Sequence, residues 1–462
     1  MFNSSNKKTP CEAQPTSVSI HNFNEVNSTY SEKEAVIEAS RCLNCKDAPC
    51  IKACPLHNNI PLFIKYISEQ KFLDAYNVDA LTNPMGNICG RVCGETFCEA
   101  KCIRGINPLS ESVAISRLER FLGDKFADKN SNIIINKNDK SVGIVGSGPS
   151  GLACAESLIK KGYQVTVFEK ERNLGGLLVS GIPNFCLPRS IVDNKINYLK
   201  KLGVTFISHH PVGVKEKLTS FLVKEKFDAL FIATGCNQPK TIGMKNESAR
   251  GVYDAKKYLE IINLPHFLNK FNYADIFKAK NVIVVGGGNV AIDVDRCAIR
   301  LGAKTVHNLY RRSEAQMPAR KEDYKHAIEE GVIFDFLTNP SKIVVGNEDR
   351  VYEVNAIKMT LGEIDASGRQ SAIPVPNSEF TLPCDLLVFA LGSIAEDEIT
   401  KSNPELRINC NGFIYVDPIT QESNLPNIYC GGDNVIGPSF VVQAINSGLI
   451  AAKNIDEKLS KK

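Results

Sequence analysis

The sequence predicts a helical, cysteine-rich domain followed by two α/β nucleotide-binding units, the second inserted in the first. Three observations carry this expectation. Eight of the sixteen cysteines fall between Cys42 and Cys102. Two strand–glycine turn–helix segments, "SVGIVGSGPSGLACAESLIK" and "NVIVVGGGNVAIDVDRCAIR", start about 140 residues apart. A last glycine turn, "CGGD" at 430–433, has the form of a closing piece for the first of these units.

The 462 residues, 43% of them apolar, are enough for about three domains with separate cores. A net charge of +4 over this length argues against a dedicated nucleic-acid binder. The start, "MFNSSNKKTPCEAQ", lacks the apolar stretch of a signal peptide, and no apolar run approaches the roughly 18 residues of a membrane span. The cytoplasm is therefore the expected compartment. There thiols stay reduced, so the cysteines do not read as a disulfide framework. Those outside the cluster (Cys11, Cys154, Cys186, Cys236, Cys297, Cys384, Cys410 and Cys430) read as small buried hydrophobes.

In chain order, residues 1–30 are polar and expected to be loosely ordered. From Ser31 to about Gly123 the pattern is helical with cysteine-rich loops. Ser31 and Glu34 have capping-box spacing ahead of "AVIEASRCL". The polar linker "DKNSNIIINKNDK" (128–140) leads into the first strand–turn–helix–strand unit. The apolar strands in "FDALFIATG" and "CDLLVFALG" mark the exits of the two units. "LPNIYCGGDNVIGPSFVVQAINSGLIAA" adds a strand, a turn and an apolar helix. The expected domains are 1–137, then 138–246 with 390–462, and 247–389 between them.

Gly146, Gly148 and Gly151 form G-x-G-x-x-G. The first glycine makes the tight turn, the second lets backbone approach a pyrophosphate, and the third lets helix and strand pack closely. Phosphates then rest at the helix N-terminus, where Pro149 and Ser150 begin the first turn. Glu169, followed by Lys170, ends the next strand, where a carboxylate can bond a ribose hydroxyl. The second fingerprint is Gly286, Gly288 and Ala291, with Asn289 and Val290 opening its helix. Its next strand ends in Tyr310-Arg311-Arg312 with no acid. A guanidinium there suits a 2′-phosphate; the alternative is a solvated surface pair. Gly432 and Asp433 are placed to close over a flavin's ribityl-phosphate region. These two Rossmann-like dinucleotide-binding domains are thus expected to hold FAD first and NADPH second. Gly175, Gly176 and Leu177, with "GIPNFCLPR", read as lining the flavin ring, with a plain loop as the alternative.

The cysteines run Cys42-x2-Cys45-x4-Cys50-x3-Cys54-Pro and Cys89-x3-Cys93-x4-Cys98-x3-Cys102. Iron–sulfur ligation uses short spacings and a final Cys-Pro. Zinc more often shows paired C-x2-C motifs with histidine, and the nearest histidine is His57. An electron carrier has a purpose beside two redox nucleotide folds; zinc, or no metal, is the alternative. Eight cysteines suit two [4Fe–4S] clusters. Glu119 lies beside the apolar stripe of Ile115, Leu118 and Leu122, and a carboxylate there needs a partner. A cluster iron, an ion pair with Arg117 or Arg120, and plain exposure are all open.

"RCLNCKDAPCIKACPLHNNIP", "NICGRVCGETFCEAKC", "FEKERNLGGLLVSGIPNFCLPR", "VVGGGNVAIDVDR" and "LYRRSEAQMPAR" together resemble the glutamate synthase small (beta) subunit family, including its stand-alone NADPH-dependent "homotetrameric" type. The large subunit of ferredoxin:NADP oxidoreductase, sulfide dehydrogenase-like proteins and the N-terminal part of dihydropyrimidine dehydrogenase are similar. The resemblance spans about residues 35–455. It implies FAD, NADPH and two [4Fe–4S] clusters. One is implied to be held by Cys42, Cys45, Cys50 and Cys102. The other is implied to be held by Cys54, Cys93, Cys98 and Glu119, with Cys89 spare. Gly94 departs from the proline common among relatives. The implied activity is NADPH oxidation, with hydride passing to FAD and single electrons leaving through the clusters. No general acid or base is expected. The expected partner is a second redox subunit: a glutamate synthase large subunit or a ferredoxin-reductase-like flavoprotein. A homo-oligomer is also open. A non-catalytic iron–sulfur subunit is the third reading, and two intact fingerprints argue against it.

Overall fold

The computed structural model describes residues 5–94, 96–107, 109–127, 135–268, 273–364 and 368–461. The first seven residues of the polar linker, 128–134, lie outside them. Helices at Glu32–Ala39, Pro49–Ala53, Ile60–Ser68, Phe72–Ala80, Gly86–Val92 and Ile115–Phe126 build the cysteine-rich part. Ser31 caps the first of them. Its Oγ accepts from Glu34 N, and Glu34 Oε2 accepts from Ser31 N at 2.8 Å. Ile115, Leu118 and Leu122 turn inward onto Phe63, Ile64 and Ile67, all buried. Helices Gly86–Val92 and Ile115–Phe126 meet backbone to backbone. A Cβ on Gly90 would sit 2.5 Å from Arg120 N, and one on Gly123 would sit 2.4 Å from Asn87 N. Only glycine fits a crossing this close.

Fifteen strands follow among the described residues. They are β1 (Ser141–Val145), β2 (Gln164–Phe168), β3 (Thr205–Ile207), β4 (Ala229–Ile232), β5 (Gln238–Pro239), β6 (Val252–Asp254), β7 (Asn281–Val285), β8 (Thr305–Tyr310), β9 (Ile333–Phe336), β10 (Thr338–Val345), β11 (Val351–Ile364), β12 (Gln370–Pro383), β13 (Leu386–Phe389), β14 (Ser393–Ile394) and β15 (Ile428–Cys430). One parallel sheet has the order β15-β4-β1-β2-β3 and the other β6-β13-β7-β8-β9. β4 and β13 are buried at every residue. Such unbroken apolar runs suit parallel strands covered on both faces. Helices Pro149–Lys160 and Asn289–Arg300 leave the tips of β1 and β7 at the two fingerprints. The two links between the sheets pair with each other, β5 against β14, Gln238 opposite Ile394. An antiparallel sheet, β10-β11-β12, flanks the second unit, and nothing in the sequence reading anticipated it.

The N-terminal segment departs from expectation. It is polar, yet residues 5–30 are tied to every part of the molecule. Thr9 N donates to Glu38, Val26 N to the Phe185 carbonyl at 3.1 Å, and Asn27 meets both Arg120 and His326. Glu25 pairs with Arg91 at 2.6 Å and Arg120 at 3.0 Å, both buried. Polar residues are ordered here because the guanidiniums they satisfy are enclosed. Glu25→Ala should cost about 1–3 kcal/mol, read as a lower calorimetric melting temperature, because Asp124 alone then serves two buried cations. An unchanged melting temperature would return the segment to a loose tail.

Of the scattered cysteines, Cys154, Cys236, Cys297, Cys384 and Cys430 are buried as expected, Cys11 and Cys186 are half-buried, and Cys410 is exposed. Among the described residues no helix is long and apolar enough to cross a membrane.

Candidate redox site

The first fingerprint opens a cleft. A Cβ on Gly151 would lie 2.0 Å from the Gly146 carbonyl oxygen, so that glycine is needed for the helix to approach the strand. A Cβ on Gly148 would meet nothing within 4 Å, and the same holds at Gly288 in the second unit. Each turn therefore leaves a bare cradle at a helix N-terminus, the shape a pyrophosphate fills. Around the first cradle the structure gathers Pro149, Ser150, Glu169, Lys170, Gly176, Leu177, Gly432 and Asp433 on one cleft wall or another. Ser147 organises them. Its Oγ donates to Glu169 Oε2 at 2.5 Å and accepts from Gly175 N at 2.9 Å. Glu169 Oε1 accepts from Glu171 N, so the buried carboxylate is held at fixed angle. Lys170 pairs with Glu396 at 2.6 Å. Of "GIPNFCLPR" only Ile182 lines the cleft; Phe185 and Cys186 turn toward Arg296 of the second unit.

Asp433 accepts from Ser439 Oγ at 2.5 Å, and burial pushes its carboxyl up to about 6. The folded pKa exceeds the ordinary 3.8, so the fold favours the neutral acid. Flavin-free protein should lose stability as pH rises from about 4 through about 6. Asp433→Asn should recover about 1–2 kcal/mol above that window and nothing below it. Melting curves at pH 4 and pH 7.5 read the difference, and equal gains at both would contradict it.

In the second unit Ala291 is buried, Val290 half-exposed, and Asn289 accepts from Arg320 N at 2.8 Å. The two arginines after β8 part company. Arg311 is exposed, whereas Arg312 is buried and its Nε donates to the Gln370 carbonyl at 2.7 Å on β12.

The thiols fall into two pockets. Cys42, Cys45, Cys50 and Cys102 ring an outer one. Cys54, Cys93, Cys98, Cys89, Glu119 and Glu99 ring an inner one. Among the described residues no three His, Cys, Asp or Glu side chains converge closely enough for a single metal ion. A gap ringed by thiols instead suits a multi-iron cluster. Burial pushes the thiols of Cys42, Cys54, Cys93 and Cys98 up, and Cys50 to about 11, so a bound cation is needed to keep them as thiolates.

Glu119 forms neither of the ion pairs the sequence left open. Arg117 pairs with Glu322 at 2.7 Å, and Arg120 turns to Glu25 and Asp124. Glu119 Oε1 accepts from Asn83 Nδ2 at 2.9 Å. Asp79, which accepts from Asn58 at 2.5 Å, lies against it. Burial pushes Glu119 up to about 7. Asn58, Asp79 and Asn83 were not anticipated, since their distances from Glu119 along the chain carry no pattern. The same is true of Phe440–Val442. Val441 lines the cleft, its neighbour Val442 lines the inner pocket, and Phe440 stacks edge-on to Phe97 at 5.1 Å. Ile60 and Ile115 line both thiol pockets.

Residues 19–131 match the family described as dihydropyrimidine dehydrogenase domain II, 4Fe-4S cluster, and residues 140–448 match pyridine nucleotide-disulphide oxidoreductase. The chain is 36% identical over 438 residues to the NADP(+)-dependent formate dehydrogenase subunit beta of Moorella thermoacetica, covering 89% of this chain and 60% of that protein's length. It is 34% identical over 454 residues to the glutamate synthase [NADPH] small chain of Escherichia coli, covering 96% of this chain and 95% of the relative. Among solved structures, FprA of Mycobacterium tuberculosis in complex with NADPH shares the fold. Its TM-score is 0.58 at 19% identity, over 70% of this chain and 85% of that one.

Proposed function

The chain belongs to the pyridine nucleotide-disulphide oxidoreductase family and to its glutamate synthase small-chain group, with a 4Fe-4S domain at its N-terminal side, and from that premise we propose that it passes electrons from NADPH to a second redox subunit. It is an FAD- and NADPH-dependent iron–sulfur oxidoreductase. The domains proposed are 1–137 for the clusters, 138–246 with 390–462 for FAD, and 247–389 for NADPH. The strand order supports an inserted second domain, since β15 returns to the sheet of β1–β4 after the second sheet is complete.

When bound, NADPH supplies a hydride, FAD exchanges it for single electrons, and two [4Fe–4S] clusters carry these one at a time. The protein's part is to hold and order. Gly146–Gly151, Glu169 and Asp433 would hold FAD; Gly286–Ala291 and Arg311 would hold NADPH. Cys42, Cys45, Cys50 and Cys102 would hold the outer cluster, and Cys54, Cys93, Cys98 and Glu119 the inner one. The observation that carries the reading is contiguity. The cleft adjoins the inner pocket through Val441 and Val442, and the inner adjoins the outer through Ile60 and Ile115. Leu43 and Ile103, exposed at the rim of the outer pocket, support an exit to a partner there.

Glutamine-dependent glutamate synthesis also needs an amidotransferase and a 2-oxoglutarate-reducing barrel, and the families matched over residues 19–131 and 140–448 are neither. A glutamate synthase large subunit is the proposed partner. A ferredoxin:NADP oxidoreductase or sulfide dehydrogenase-like complex is the second reading; the similarity to a formate dehydrogenase beta subunit supports a redox partner other than a glutamate synthase large subunit. Anaerobic purification should yield about one FAD and about eight irons with sulfide. Zinc without sulfide would overturn the cluster reading. Affinity capture with mass-spectrometric identification should recover a large amidotransferase; a small flavoprotein instead would favour the second reading.

A further inference from the structure

The segment that follows the two arginines of the second unit folds back in a way the electron path does not require. Ala319 N donates to the Gly287 carbonyl, and Arg320 N donates to Asn289 Oδ1 at 2.8 Å. Both acceptors belong to the second fingerprint turn. From this anchored backbone the Arg320 side chain crosses to the cysteine-rich domain, where its Nη1 donates to the Arg91 carbonyl. Arg91 lies in the last turn of helix Gly86–Val92, and Cys93 follows the helix two residues after Arg91. Carbonyls in a last turn have no helical partner and carry the negative end of the helix dipole. Arg320 therefore caps that end immediately before an inner-pocket thiol.

The charge placed there is not idle. Arg320 is largely enclosed and also pairs with Glu322 and Asp323, at 3.6 Å each. The Arg91 carbonyl it grips lies two residues before Cys93, which shares the inner pocket with the carboxyls of Glu99 and Glu119. Glu99 is itself held by Lys8 and Ser116. A cluster gains negative charge on reduction, so a nearby cation stabilises the reduced form and raises its potential.

We propose that Arg320 is a positioning residue by which the NADPH fingerprint turn holds a positive charge over the inner cluster's ligand loop and so sets that cluster's midpoint potential. The proposal rests on the assignment of Cys54, Cys93, Cys98 and Glu119 to the inner cluster. It makes the potential of an iron–sulfur site depend on the conformation of the nucleotide turn, across a domain boundary, through two hydrogen bonds and one side chain.

The test is an EPR-monitored redox titration of the whole FAD-loaded protein. Arg320→Gln should shift one cluster's midpoint potential in the negative direction and leave the other's in place. Arg320→Lys, which keeps the charge, should restore most of the shift. Asn289→Ala, which changes no charge and touches no cluster ligand, should give a smaller shift of the same cluster in the same direction by freeing the Arg320 backbone. A merely structural role would instead lower the melting temperature of Arg320→Gln and Arg320→Lys alike and move both clusters. Cys93→Ser separates the two levels of the argument. If it alters neither cluster's EPR spectrum, the ligand assignment has failed. If it alters one cluster, but Arg320→Gln leaves that cluster's potential unmoved, this proposal alone is overturned.

Discussion

Glu119→Ala is expected to abolish or reshape the EPR signal of one cluster, leaving FAD content and the other cluster intact, whereas Cys89→Ala is expected to leave both signals unchanged. Four thiols and the carboxyls of Glu99 and Glu119 ring the inner pocket, Glu99 is already paired with Lys8 and Ser116, and a [4Fe–4S] cluster takes four ligands. The choice turns on which of Cys89 and Glu119 needs a cation. Cys89 is fully buried on helix Gly86–Val92 with its Sγ 3.7 Å from Asn83 Oδ1, so it is already satisfied as a small core thiol. Glu119 is held by the amide of the same Asn83 and lies against the carboxyl of Asp79 and near Glu99. Two enclosed carboxyls this close cannot both ionise without a cation, and an iron would supply one. Glu119→Cys should restore a cluster with all-cysteine ligation. Cys89→Ala should cost only about 1 kcal/mol of packing. Loss of a cluster in Cys89→Ala, with Glu119→Ala silent, would reverse the two roles.

Arg311→Ala should weaken NADPH binding roughly 10–100-fold while leaving NADH nearly untouched, as expected for loss of a charge-assisted bond of about 1.5–3 kcal/mol. Arg312→Ala should behave differently. Its guanidinium is buried and spans to the Gln370 carbonyl on β12, so its removal should lower the melting temperature and loosen the flanking sheet. Dissociation constants for both coenzymes, measured on both variants, separate these outcomes. Equal rates with NADPH and NADH in the unmodified protein would make Arg311 a surface cation and no more.

Local pattern made much of this legible. Both fingerprints declared themselves because a strand, a glycine turn and a helix N-terminus are consecutive in the chain. Gly148 and Gly288 stand over open space for the same reason. The Ser31–Glu34 cap is a four-residue affair, and the Ile115–Leu122 stripe needs only helical periodicity. The cysteine spacing suggested clusters, but the division of thiols between them came from family resemblance. Cys102 and Cys54 exchange neighbours only when the chain folds back on itself.

What sequence determined by itself was therefore the kind of each part: helical cysteine-rich domain, two nucleotide turns, and the residue types at each. Those follow from steric and hydrogen-bonding rules that act over a few residues. Tertiary structure alone decided how the parts meet. It turned Arg117 and Arg120 away from Glu119, sent Arg311 outward and Arg312 inward, and bound a polar N-terminal segment into the body of the fold. It also set Val441 on the cleft and Val442 on the inner pocket. A buried charge takes whichever partner the packed chain brings within reach, and that partner can lie hundreds of residues away, where no local pattern records it.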